Sequence, residues 1–151
     1  ILRQSRQAAS ISIKVGSKYI IKKVLMTPPT NITLSKNKKL LTVSFEENNF
    51  SMSSEYLRVY SPSAEVRGHG PGQETLQLNK QDVTINSILP MGNYAIAIHF
   101  NDGHTTGIYS WSYLNQLGID KEELWKDYCD RVEKHNSKNN NQNYHEVSIW
   151  S

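Results

Sequence analysis

The chain has 151 residues, of which 37% are hydrophobic and 21% charged. That suits one domain with a modest core, and no stretch approaches the eighteen or so consecutive apolar residues of a membrane helix. The net charge of +3 hides a split: residues 1–45 carry nine Lys or Arg and no Asp or Glu, whereas the remainder carries eight basic and fourteen acidic residues.

A basic leader precedes an acidic body that would repel phosphate, so no nucleic-acid partner is expected. The leader is also rich in Ser and Gln and does not begin with Met. That composition matches mitochondrial targeting segments and predicts the mitochondrial matrix, or the matrix-facing side of the inner membrane. A single cysteine, Cys129, excludes an intramolecular disulfide and a cysteine-based metal site.

Residues 1–29 read as a basic N-terminal extension. Ile11, Ile13 and Val15, then Tyr19, Ile20 and Ile21, give it strand character, and Pro28-Pro29 ends it. The domain proper, residues 30–135, begins with alternation at Ile32 and Leu34, a turn at Lys36 to Lys39, and a second strand through Leu41, Val43 and Phe45. Glu46 to Asn49 turn again, Phe50 and Met52 make a third strand, and Ser53 or Ser54 caps a short helix over Glu55–Tyr60.

Three glycines and two prolines predict irregular structure over 61–73. Val83, Ile85 and Ile88 open another strand, which Pro90-Met91-Gly92 bends. Tyr94, Ile96 and Ile98 share one face of the next strand, with Ala95, Ala97 and His99 opposite, and Asn101-Asp102-Gly103 turns the chain into Thr105–Trp111. A helix over Ser112–Leu117 is expected to stop at Gly118, and Asp120 to cap another that reaches about His135, with Leu124, Tyr128 and Val132 on one stripe. Residues 136–151 read as an Asn-rich linker followed by a docking segment containing Val147, Ile149 and Trp150. The fold class is α+β: two layers, a mainly antiparallel sheet with short helices on one side, and long N- and C-terminal extensions.

Two blocks are not generic. One runs Tyr56-Leu57-Arg58-Val59-Tyr60-Ser61-Pro62-Ser63-Ala64-Glu65-Val66-Arg67-Gly68-His69-Gly70-Pro71-Gly72-Gln73, the other Gly92-Asn93-Tyr94-Ala95 and then Phe100 to Trp111. Together they resemble the gamma-butyrobetaine hydroxylase-like N-terminal domain across roughly residues 30–130. In hydroxylases of that family the domain precedes an iron and 2-oxoglutarate catalytic domain and is a zinc-binding accessory module. The resemblance puts the zinc ligands, three cysteines and a histidine, at Ser61, Ser63, Val66 and His104. Serine hydroxyls bind zinc poorly and valine cannot bind it, so a degenerate site with no metal and no cofactor is expected. The Ser-Pro-Ser form resembles the stand-alone branch of the family.

The remaining chemistry is sparse. None of the five histidines begins the His-x-Asp or His-x-Glu of an iron dioxygenase. The run Gly68 to Gly72 lacks the Gly-Lys-Ser/Thr ending of a phosphate loop, and Pro71 removes a donor. His69, His104, Glu65 and Asp102 form a candidate metal or acid–base cluster, against which a scaffolding role is expected, with His104 hydrogen-bonded to the 61–73 loop. Arg58, Glu65 and Arg67 are expected to form an ion-pair network holding that loop. Cys129 is expected to be a buried, inert thiol.

These features predict a protein that is not an enzyme: an accessory subunit of a larger mitochondrial assembly, with a respiratory-chain complex such as NADH dehydrogenase (complex I) foremost. Its partners would be protein subunits, contacted through Ile11, Ile13, Val147, Ile149 and Trp150. The alternative is a small metal-dependent or iron–sulfur-handling factor that uses the 61–73 loop and His104.

Overall fold

In the computed structural model, residues 9–15, 18–24 and 27–148 are described, with side chains for 27–141. Strands β1 (Ala9–Val15) and β2 (Lys18–Val24) form an antiparallel hairpin that is a two-stranded sheet of its own, with Ile13 opposite Ile20. The strand character read in the leader is therefore present.

Two three-stranded antiparallel sheets follow, where a single sheet was expected. The first contains β3 (Asn31–Leu34), β4 (Leu40–Ser44) and β5 (Asn49–Ser53). The second contains β6 (Ile85–Met91), β7 (Ala95–Phe100) and β8 (Gly107–Ser110). They meet at the β3–β4 turn, where Lys38, at φ 60, accepts through its carbonyl from the Ile85 amide.

Helix α1 (Ser54–Val59) starts where expected, because the Ser53 hydroxyl accepts from the Tyr56 amide. Helices α3 (Trp111–Ile119) and α4 (Lys121–Ser148) close the chain. The core lies between sheets and helices: Leu41, Val43 and Met52 from the first sheet, Ile96, Ile98 and Phe100 from the second, Leu57 from α1 and Leu114 and Leu117 from α3.

Helix-end carbonyls, which lack partners within their own helix, are met here by tyrosines. Tyr109 and Tyr113 donate to the Leu57 and Tyr60 carbonyls at the end of α1, each at 2.6 Å. Tyr56 donates to the Leu117 carbonyl at the end of α3. Tyr60 donates to the Leu124 carbonyl in the first turn of α4, an acceptor that is not at a helix end but ties α1 to α4. Burial, joined by the negative field of Asp127, pushes the Tyr60 hydroxyl up to about 12, so it stays a donor.

Several local expectations are corrected. Within 61–73 the residues Ala64–Arg67 form one helical turn, α2, because this Ala-Glu-Val-Arg run sits between Pro62 and Gly68 and contains neither breaker. The β6 strand passes through Pro90, tolerated because β6 is an edge strand, and the chain reverses only at Gly92, φ 53. Tyr94 lies in that reversal and is 54% exposed.

Gly118 does not end its helix. It lies inside α3 because a Cβ there would fall onto the Phe50 ring, so glycine permits close approach of α3 to β5. Asp120 closes α3, its carboxylate accepting from Gln116. Helix α4 continues past His135 through the Asn-rich run to Ser148. Asparagine is a weak helix former but not a breaker, and that run holds no Pro or Gly. Val147 thus belongs to a helix and not to a docking strand, while Ile149 and Trp150 lie outside the described residues. Ile11 and Ile13 sit on β1, with their side chains outside the described set. Cys129 is exposed on α4, since Tyr128 takes the inward position beside it.

Candidate functional site

Three segments far apart in sequence converge at the loop that follows α1. Arg58 is a buried guanidinium, 7% exposed, in the last turn of α1. Its Nε donates to Asp102 Oδ2 at 2.9 Å and its Nη1 to Gln77 Oε1 at 3.0 Å. Lys80 Nζ donates to the same Asp102 oxygen at 2.8 Å, and the His104 amide to the other oxygen at 3.2 Å. Partial burial pushes the Asp102 carboxyl up, but the hydrogen bonds from Lys80, the His104 amide and Arg58, with the charge of Arg58, outweigh it and hold it at about 2.

One turn further along the chain, Ser61 Oγ and His104 Nε2 share a hydrogen bond of 2.8 Å. Burial, then the charge of Arg58, pushes the His104 imidazole below its ordinary value, so the ring is neutral at pH 7. Ser61 approaches this closely because residue 107 is glycine: a Cβ there would stand 2.6 Å from Ser61 Oγ and 2.9 Å from the Tyr109 ring. Ser63 is buried, its amide pointing at Ser61 Oγ and its own hydroxyl without a hydrogen-bond partner.

The structure thus brings Ser61 to His104 and buries Ser63 and Val66, which are close to Ser61 in sequence. These side chains do not fit a zinc ion. Their donors are two alcohols and one imidazole already bonded to one of them, and Val66 is apolar. Among the described residues no group of three His, Cys, Asp or Glu stands close enough to hold a metal.

The expected Arg58–Glu65–Arg67 ion-pair network is not formed. Arg58 turns instead to the partly exposed carboxylate of Asp102. Glu65 accepts from the Thr106 hydroxyl at 2.8 Å, which lowers its pKa, and the Arg67 guanidinium lies over the Tyr113 ring, 4.7 Å from the centroid. His69 is exposed on the glycine-rich loop and lines an open cleft that His104, Glu65 and Asp102 do not line, so the four-residue cluster does not assemble. Lys80, Gln77 and Thr106 complete the network without having been anticipated. Gly107 falls within the second distinctive block, and that block was the only sequence signal for it.

The chain is a small α+β body with a loop tied to a β-turn by part-buried polar pairs. The profile of the family described as gamma-butyrobetaine hydroxylase-like, N-terminal, matches residues 32–115. Two solution NMR structures are similar to the chain. One is 39% identical, covers 74% of this chain and 89% of its own, and superposes with a TM-score of 0.65. The other is 40% identical, with coverages of 78% and 88% and the same TM-score. A crystal structure of a protein of unknown function from Acidithiobacillus ferrooxidans, of the DUF971 family, is 30% identical over 62% of this chain and 94% of its own, with a TM-score of 0.51. No curated protein matches the chain. The chain belongs to the gamma-butyrobetaine hydroxylase-like N-terminal family.

Proposed function

We propose that the chain is a non-catalytic interaction module, an accessory subunit of a larger mitochondrial assembly, with a respiratory-chain complex such as NADH dehydrogenase the first to test. The observation that carries the non-catalytic part is how the distinctive loop uses its polar side chains. Ser61 is spent on His104, Asp102 on Arg58 and Lys80, and Glu65 on Thr106. Side chains so paired fix a surface, and a reacting group would need a free partner facing substrate. The mitochondrial part rests on the acid-free basic leader and places the protein in the matrix or on the matrix face of the inner membrane.

The test is a tagged chain expressed in cells, followed by organelle fractionation, native-gel migration and mass spectrometry of what co-purifies. Co-migration with a respiratory complex is the expected result. Free migration in the cytosolic fraction would sink the proposal.

A second reading, a small metal-dependent or iron–sulfur-handling factor, is favoured by one feature. The Ser63 hydroxyl is buried beside Ser61 without a partner, a polar atom that a bound group could satisfy. Metal analysis of the purified protein separates the readings: stoichiometric zinc or iron supports the second, and a chelator without effect on the melting temperature supports the first.

A further inference from the structure

An open cleft of about 560 Å³ lies beside the Ser61–His104 bond, with Ser61 on its lining and His104 outside it. This is within the range of small-molecule sites, roughly 300–1,000 Å³. Val59, Val66 and the rings of Tyr60 and Tyr113 supply apolar lining, while the glycine-rich loop from Gly68 to Pro71 forms one wall. Two arginines from different elements line the same cleft: Arg67 from α2 and Arg131 from α4.

Their circumstances differ from that of Arg58. Arg67 stands over the Tyr113 ring and makes no ion pair among the described residues, so its donors are not spent on a carboxylate. Arg131 has only a long contact, 3.6 Å, with Asp127 on its own helix, and both side chains are well exposed. Such surface pairs are weak and yield readily to a better acceptor. The cleft also contains Glu74, one negative charge against two positive ones.

We propose that this cleft binds a small organic anion: a carboxylate or phosphate seated between Arg67 and Arg131, on a flat or branched apolar body that packs against Tyr60, Val59 and Val66. Guanidinium is the group suited to planar, two-point recognition of either oxyanion, and cation–π attraction to an aromatic ring holds it there beforehand. The apolar lining gives the body of the ligand a contact that a bare inorganic ion cannot use.

The full chain, isotope-labelled, is titrated with phenyl phosphate, benzoate and inorganic phosphate while amide shifts are followed by NMR. Saturable shifts confined to Val66 through Gly70, Tyr113 and the Arg131 turn are expected with at least one of the two aromatic anions, and weaker binding of inorganic phosphate. Arg67→Gln and Arg131→Gln should each weaken binding about tenfold, the scale of one charge-assisted pair. Arg67→Lys should weaken it too, because lysine keeps the charge but not the fork. Glu74→Gln should tighten it. Lys126→Gln, at an exposed position elsewhere on α4, should change nothing.

Three results would overturn the proposal: no saturable shifts with either aromatic anion, inorganic phosphate binding as tightly as phenyl phosphate, or both arginine-to-glutamine variants binding like wild type. Melting curves of each variant confirm that it is folded. Because the two arginines lie on different elements, misfolding of one variant leaves the other to decide.

Discussion

His104 Nε2 lies 2.8 Å from Ser61 Oγ, tying the β7–β8 turn to the residue that leaves α1. The bond joins two positions where the family resemblance implies metal ligands, so side chains here make directly the cross-link that a metal would otherwise make. His104→Ala should therefore destabilise the body by about 1–3 kcal/mol, the cost of leaving the buried Ser61 hydroxyl unpaired. Chemical denaturation measures this. A variant as stable as wild type would mean that the bond contributes nothing.

The same bond predicts a pH dependence. Burial first, then Arg58, lowers the folded-state value of His104 below its ordinary 6.5. The unfolded chain thus binds a proton that the folded chain resists. The stabilisation is complete above 6.5 and is lost as pH falls through the lower folded value. Melting temperature should decline as pH falls below the ordinary 6.5, and His104→Ala should flatten that decline. An unchanged slope in the variant would assign the effect to another group.

Asp102 is the hub that positions this turn. Asp102→Asn removes the carboxylate that faces the buried Arg58 and should cost about 2–3 kcal/mol, the scale for hydrogen bonds to charged groups. Lys80→Gln removes a partner nearer the surface and should cost less than about 1 kcal/mol. Since the folded Asp102 is held at about 2, below its ordinary 3.8, its contribution is complete above 3.8 and is lost as pH falls through about 2. Equal losses for the two variants would show that Arg58 is not the principal partner.

The legible parts of this protein were those with local rules. Alternation at Leu41 and Val43, the Ser53 cap and the Asp102-Gly103 turn each announce themselves within a few residues, and the two distinctive blocks announce the family. What stayed hidden depends on distant neighbours. Nothing near Arg58 says that its acceptor lies 44 residues away at Asp102 and not at Glu65, or that Gln77 and Lys80 share the site. Composition gives the Asn-rich run the look of a linker, although no residue in it breaks a helix that is already under way.

Gly118 is the sharpest of these hidden cases. By intrinsic propensity alone, Gly118→Ala inside α3 should stabilise by about 1 kcal/mol. Here the added methyl would fall onto the Phe50 ring, so overpacking of about 1–3 kcal/mol opposes the gain. The variant should be destabilised in the wild-type background and become neutral or stabilised when combined with Phe50→Leu, which vacates the ring. A double-mutant cycle by denaturation measures the coupling. Additive effects would show that the two residues do not meet.

Helix α4 is anchored to the body by its first half: Leu124, Trp125 and Tyr128 pack inward, and the Tyr128 hydroxyl donates to the Gln77 carbonyl at 2.8 Å. From Asn136 to Asn141 every side chain is exposed. Deleting residues 136–151 should then change the stability of the body by less than about 1 kcal/mol, as for other surface changes away from buried features. If the chain is an accessory subunit, the same deletion should weaken its incorporation into the larger assembly, because Val147, Ile149 and Trp150 supply the apolar and aromatic groups on which such contacts commonly depend. Trp150→Ala should reproduce that loss without touching the fold. The two readouts separate the alternatives. A truncated chain that unfolds would show that the tail belongs to the body. One that stays folded and assembles normally would remove the tail from the interface, leaving the N-terminal hairpin as the remaining candidate contact.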